Sequence, residues 1–221
     1  MTTISTTEAN VQLTINPFKN KAGVIVRTLL QNPQKVWKGT ELAETLDLKP
    51  RWVNCVLATL ESYGHVERSQ KGPLSETRII DMKGLTKHWG TVYRFNQNFF
   101  HDYYCTSQDP VRTLKEASQK LGFRWALTGP YAEEIFKNGT GQGIPMAYLN
   151  ASKDGKKDFN KVLGSLEDQW GFLPVGKHPN IIIIEPRDPN GTFFETQSVK
   201  GFSLVSKLQL SLDLGKAVFD R

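Results

Sequence analysis

The chain has 221 residues, 38% of them hydrophobic, and 28 Lys+Arg against 22 Asp+Glu give a formal charge of +6. That length suggests one or two domains, and the lack of any apolar run near the ~20 residues of a membrane span argues against a membrane protein. Cys55 and Cys105 lie in separate segments and set neither a disulfide framework nor a zinc site, and with no signal peptide in view the expected location is the cytoplasm.

The surplus charge favours a polyanionic partner only mildly. Residues 1–81 hold ten Lys+Arg and eight Asp+Glu, so the basic character is spread along the chain. A few placed contacts fit that distribution better than nonspecific coating of nucleic acid.

In chain order, residues 1–10 are polar and unpatterned, and residues 11–15 alternate as a short strand would. Residues 20–31 put Val24, Ile25 and Leu29 at helical spacing and stop at Asn32-Pro33, and Val36-Trp37 fits a small strand. Leu42, Ala43 and Leu46 then mark one short amphipathic helix, and Val53, Val56, Leu57 and Leu60 mark a second. Asp47-Leu48-Lys49 leaves room only for a tight turn between them. Pro50 suits the first position of the second helix, and Gly64 suits its left-handed cap. Residues 65–69 and 77–80 read as two strands joined by Gln70-Lys71-Gly72-Pro73 turn chemistry. A helix-turn-helix followed by a two-stranded wing is the pattern expected for residues 1–82.

The second helix has two faces. With its four apolar residues buried, it turns Lys49, Arg51, Trp52, Asn54, Cys55 and Thr59 outward. Arg and Asn can pair their hydrogen bonds with guanine and adenine edges in a major groove. A recognition helix needs such residues at its N-terminal end. Arg68, Lys71 and Arg78 in the wing are placed to neutralise flanking phosphates.

Residues 83–221 are expected to form a mixed α/β domain, and residues 1–82 alone are expected to suffice for DNA binding. Residues 85–95 read as a joint helix, 99–105 as an aromatic strand, and Asp109-Pro110 as the cap and first turn of a helix over 110–121. A strand over 124–127, a turn, a helix over 131–136, a strand over 147–149 and a helix over 158–166 follow. Residues 180–185 hold four consecutive isoleucines, as a strand buried on both faces would. A turn over 186–191, a strand over 192–196 and a helix over 206–219 complete the reading.

The strand–Gly turn–helix opening at residues 124–132 is the one seen in nucleotidyltransferase-like folds. Nucleotidyl transfer needs carboxylates to hold divalent metal, and Pro145-Met146-Ala147-Tyr148-Leu149-Asn150 has none where they are expected. The shape without the metal site, and no enzyme, is therefore expected. The glycines of residues 139–143 lack the Lys-Ser/Thr of a phosphate-binding loop. His65, His88, His101 and His178 fall on different elements without helix-spaced metal pairing. No metal or cofactor is expected.

Two resemblances accompany this reading. Residues 40–68, with Leu42-Ala43 opening one helix and Leu60 to Gly64 and Val66 closing the next, resemble the winged-helix domains of bacterial transcription regulators. Thr128-Gly129 with Ala132, residues 205–214, and residues 85–93 with Trp89 resemble the AbiEi-family antitoxins of type IV toxin-antitoxin systems. The resemblance implies an autorepressor that binds double-stranded DNA through its N-terminal domain. It also implies a C-terminal domain that engages a toxin of nucleotidyltransferase type, with a homodimer admitted and no membrane partner. The alternative is a plasmid or phage replication or partition protein that holds origin repeats. Overall, the sequence leads to an α+β protein with an N-terminal winged helix-turn-helix and a C-terminal mixed α/β domain.

Overall fold

The computed structural model describes residues 15–69, 75–151 and 158–215. The strand expected over residues 11–15 lies almost wholly outside them, as does Lys71. The structure is mixed α+β, with two sheets and, among the described residues, nine α-helices. None of these is long and apolar enough to cross a membrane.

Helix α1 (Asn20–Gln31) buries Ala22, Ile25, Val26, Leu29 and Leu30, and also Arg27 and Thr28, so it is covered on more than one side. Asn32-Pro33 ends it. The two-residue strand β1 (Trp37–Lys38) leads into α2 (Gly39–Thr45) and, through a turn with Asp47 at φ 52°, into α3 (Pro50–Ser62). Pro50 occupies the first turn of α3, where no intrahelical N–H is missed. Val53, Val56, Leu57 and Leu60 are all fully buried. Gly64, at φ 73°, turns the chain into β2 (Val66–Arg68) and then β3 (Glu76–Ile79). The three strands form an antiparallel sheet in the order β1-β3-β2, with Trp37 opposite Thr77 and Val66 opposite Ile79.

The core of this first unit does not stop at residue 82. Asp81 caps α4 (Met82–Val92) by accepting from the Gly84 N–H at 2.8 Å, which starts the helix three residues before the expected Leu85. Leu85 and Trp89 of α4 then pack among Ile25, Leu29 and Leu57, together with Leu212 from far down the chain.

The second unit is a seven-stranded mixed sheet in the order β7-β4-β8-β6-β5-β10-β9. Its strands are β4 (Phe99–Cys105), β5 (Arg124–Thr128), β6 (Met146–Asn150), β7 (Phe172–Pro174), β8 (Ile181–Glu185), β9 (Gln197–Val199) and β10 (Phe202–Leu204). β6 runs antiparallel to β5 and parallel to β8. Ile181, Ile183 and Ile184 are buried and Ile182 partly so. Helices α5 (Pro110–Leu121), α6 (Gly129–Phe136) and α7 (Phe159–Trp170) supply Leu114, Ile135 and Leu166 to one core with these strands.

One expectation is corrected here. Residues 192–196 do not form a strand: Asp188 accepts from the Gly191 N–H and starts a short helix, α8 (Pro189–Thr192), after which the chain makes the β9–β10 hairpin. The three-residue edge strand β7 was not anticipated, being too short to show alternation. The last helix, α9 (Lys207–Asp213), is capped by Ser206, and residues 216–219 of the expected helix lie outside the described residues.

Candidate nucleic-acid interface

Helix α3 sorts its residues as its periodicity requires. Lys49, Arg51, Trp52 and Cys55 are exposed and Thr59 is partly exposed, with the thiol of Cys55 free. Positions 52, 55 and 59 share one face, and 51 and 55 are a turn apart. From Arg51 to Thr59 the row runs roughly 12 Å along the helix. Thr59 donates its hydroxyl to the Cys55 carbonyl at 3.0 Å.

Asn54 and Arg68 are placed differently from their expected roles. Arg68 Nη2 donates to Asn54 Oδ1 at 2.9 Å and to Ser75 Oγ at 2.7 Å, and both residues are partly buried. Their polar atoms clasp α3 to the β2–β3 hairpin. Gly39 stands beside this clasp, since a Cβ there would lie 2.9 Å from Asn54 Oδ1. Arg78 is exposed and pairs with Glu67 across the hairpin through Nε at 2.7 Å and Nη2 at 2.5 Å.

Behind α3, His65 and His88 meet, with Nε2 and Nδ1 3.0 Å apart. They lie on separate elements, His65 in the turn before β2 and His88 on α4, so their meeting leaves no spacing in the sequence. Asp81 Oδ2 lies 3.8 Å from His65 Nδ1, the other ring nitrogen. Burial, then the neighbouring His88, lowers the His65 pKa below its ordinary 6.5, against the opposing pull of Asp81.

A second polar centre joins the two units, gathering Tyr93, Thr128, Tyr148 and the Gln209–Asp213 turn of α9. Asp213 of α9 turns its carboxylate inward. Oδ1 accepts from Tyr93 OH at 2.5 Å, Gln209 Nε2 at 2.7 Å and Tyr148 OH at 3.1 Å, and Oδ2 accepts from Thr128 Oγ1 at 2.5 Å. Loss of hydration pushes the carboxyl up to about 6, while these donors hold it from rising further. Tyr93 and Tyr148 are raised, first by burial and then by the adjacent Asp213 charge, and remain neutral donors. Sequence reading singled out Thr128 and Asp213 only within short motifs. Their contact spans 85 positions and leaves no periodic trace.

Among the described residues no group of three or more His, Cys, Asp and Glu is placed to hold a metal ion. On β6, Ala147, Tyr148 and Leu149 are buried and Met146 partly so. Within the glycine-bearing stretch at residues 139–143, the Gly139 carbonyl, like that of neighbouring Asn138, accepts from Lys200 Nζ, at 3.2 and 2.9 Å respectively. A carbonyl-presenting turn suits a cation better than a phosphate. His101 packs on Phe159 with ring centroids 5.5 Å apart, and Cys105 is buried on the same strand.

Compared with protein-family models, with curated proteins and with solved structures, the chain matches none.

Proposed function

We propose that the chain is a winged-helix DNA-binding transcription regulator of antitoxin type, with no catalytic activity, whose second unit engages a protein partner. One observation carries the DNA-binding reading. The outward row Lys49, Arg51, Trp52 and Cys55 stands uncovered at the start of a helix whose opposite face is fully committed to the core. The element order helix, strand, helix, helix, strand, strand supports it, with α3 as the helix that enters the major groove and the β2–β3 hairpin as the wing.

In this reading Arg51 is the base-reading side chain, with bidentate reach to guanine O6 and N7. Asn54 and Arg68 brace the helix against the wing. Arg78 touches phosphate by exchanging Glu67 for the DNA backbone, an exchange that costs little because an exposed ion pair contributes only about 0.2–1 kcal/mol.

Binding to the DNA upstream of the chain's own gene, measured by fluorescence anisotropy, tests the assignment. Arg51→Ala is expected to cost about 1–3 kcal/mol and to relax preference at one base pair. Arg78→Ala should weaken all sequences alike. Asn54→Ala should lower folding stability as well, since it removes the acceptor that orients Arg68. Unchanged affinity and preference in Arg51→Ala would sink the assignment.

A further inference from the structure

The joint between the units holds a cavity of about 180 Å³. That is far above the ~10–15 Å³ a single water needs. Both units build its wall. Lys19 precedes α1, Arg27 lies in its middle, Arg94 follows α4, and Arg187 precedes α8. Against these four cations the lining offers one carboxylate, Asp188. Its oxygens are already engaged, Oδ2 by the Asn20 N–H at 3.0 Å and Oδ1 by the Gly191 N–H at 3.1 Å.

Arg27 is the residue that asks for a ligand. It is only 4% exposed, and its guanidinium lies over the Trp89 ring at 4.8 Å. Nη2 donates to Gln209 Oε1 at 2.6 Å, but Nε and Nη1 are buried and have no acceptor. Buried donors without partners are costly, the more so on a charged group. Burial lowers the proton affinity of this guanidinium, opposed by Asp188 and, more weakly, by Asp213 beyond Gln209, neither of which hydrogen-bonds Nε or Nη1, and an arginine in a protein keeps its proton. The partner it lacks is therefore an anion. Gly191 lies close by, since a Cβ there would stand 2.6 Å from Asp188 Oδ2 and 3.3 Å from Arg27 Nε.

We propose that this cavity binds a small phosphorylated molecule, held by Arg27, Arg94 and Arg187, with its remainder against Phe18 and Val92. Arg94 Nη1 donates to the Thr91 and Tyr93 carbonyls at 2.6 and 2.8 Å, so its part is its charge and its remaining donors. A phosphate suits three guanidinium groups on one cavity wall better than a carboxylate does, having more acceptor oxygens and a larger charge. Its occupant would touch α1 and the α8 segment together and so fasten one unit to the other. The inference stands on the cavity and is independent of DNA binding.

The test uses the full chain without DNA, titrated with inorganic phosphate, pyrophosphate, AMP and citrate by calorimetry, with amide spectra recorded in parallel. At least one phosphate-bearing probe should bind saturably, more tightly than citrate, and shift the Asn20 and Gly191 amides. Arg187→Ala and Arg94→Ala remove exposed side chains, and together they should weaken that binding by about tenfold or more, as loss of charged hydrogen bonds requires. Arg27→Lys keeps the charge with fewer donors and should weaken it too, whereas Lys115→Ala, on α5, should leave it unchanged. Saturable binding by none of the phosphate probes would overturn the proposal. Citrate binding as tightly as the best of them, or an Arg94/Arg187 double variant that binds like the unaltered chain, would do the same.

Discussion

Asp213 holds one carboxylate among four side-chain donors, and its titration has a definite sign. Its folded pKa, about 6, stands above the ordinary 3.8. The stability linked to it is therefore present in full below about pH 3.8 and is lost as pH rises through about 6. Two pH units at ~1.4 kcal/mol each set the loss at about 3 kcal/mol. Asp213→Asn removes the titration while keeping one acceptor oxygen. Urea unfolding at pH 4 and pH 7 should show the unaltered chain losing up to that amount relative to the Asn variant between the two conditions. A difference that stays flat would mean the carboxyl is hydrated in solution, and one that moves the other way would mean that its four donors outweigh burial.

At the scale of elements, His65 titrates in the opposite sense. His65 is buried as the chain leaves α3 for β2, and its pKa is depressed below 6.5. Its neutral form therefore favours the fold above pH 6.5, and that contribution is lost as pH falls through the lower folded value. A histidine-ring NMR titration should place the His65 midpoint below 6.5, and a midpoint at or above that value would show that Asp81 outweighs burial and His88. The elements themselves were largely legible where a cap marked them. Pro50 and Asp109-Pro110 fixed the starts of α3 and α5 because they act within one turn of backbone. Asp188-Pro189 carries the same signal and starts α8, but the Thr and Phe residues after it suggested a strand, and the local cap won. The exposed row on α3 was readable from period alone. The Asn54–Arg68 clasp was not, because it depends on how β2 lies against α3, and neither was the Asp213 knot, whose partners come from four separate segments.

Across the whole molecule the two units share their supports, so the sequence-based division at residue 82 meets a packing argument. Leu85 and Trp89, 0% and 1% exposed, and Leu212, 5% exposed, fill the core around α1 and α3. Leu210, on the same short helix as Leu212, packs instead into the core of the seven-stranded sheet. Asp188 adds a polar tie by accepting from the first N–H of α1. Removing a buried Leu costs about 2–5 kcal/mol and a buried Trp about 3–5. A fragment of residues 1–82 forfeits Leu85, Trp89 and Leu212 together, and these losses are comparable to the ~5–15 kcal/mol by which a domain is stable at all. That fragment is expected to be unfolded or partly folded by circular dichroism. Residues 1–94 regain Leu85 and Trp89 but still lack Leu212, the partly buried Leu208 and the Asp188 tie, and should recover a cooperative but weakened melt. In the full chain, Leu212→Ala should lower the stability of the first unit without lowering that of the second by as much, read from amide exchange at Leu57 and at Ile183. A stable, cooperatively melting fragment of residues 1–82 would show that α4 and α9 merely cover a core that is already sufficient.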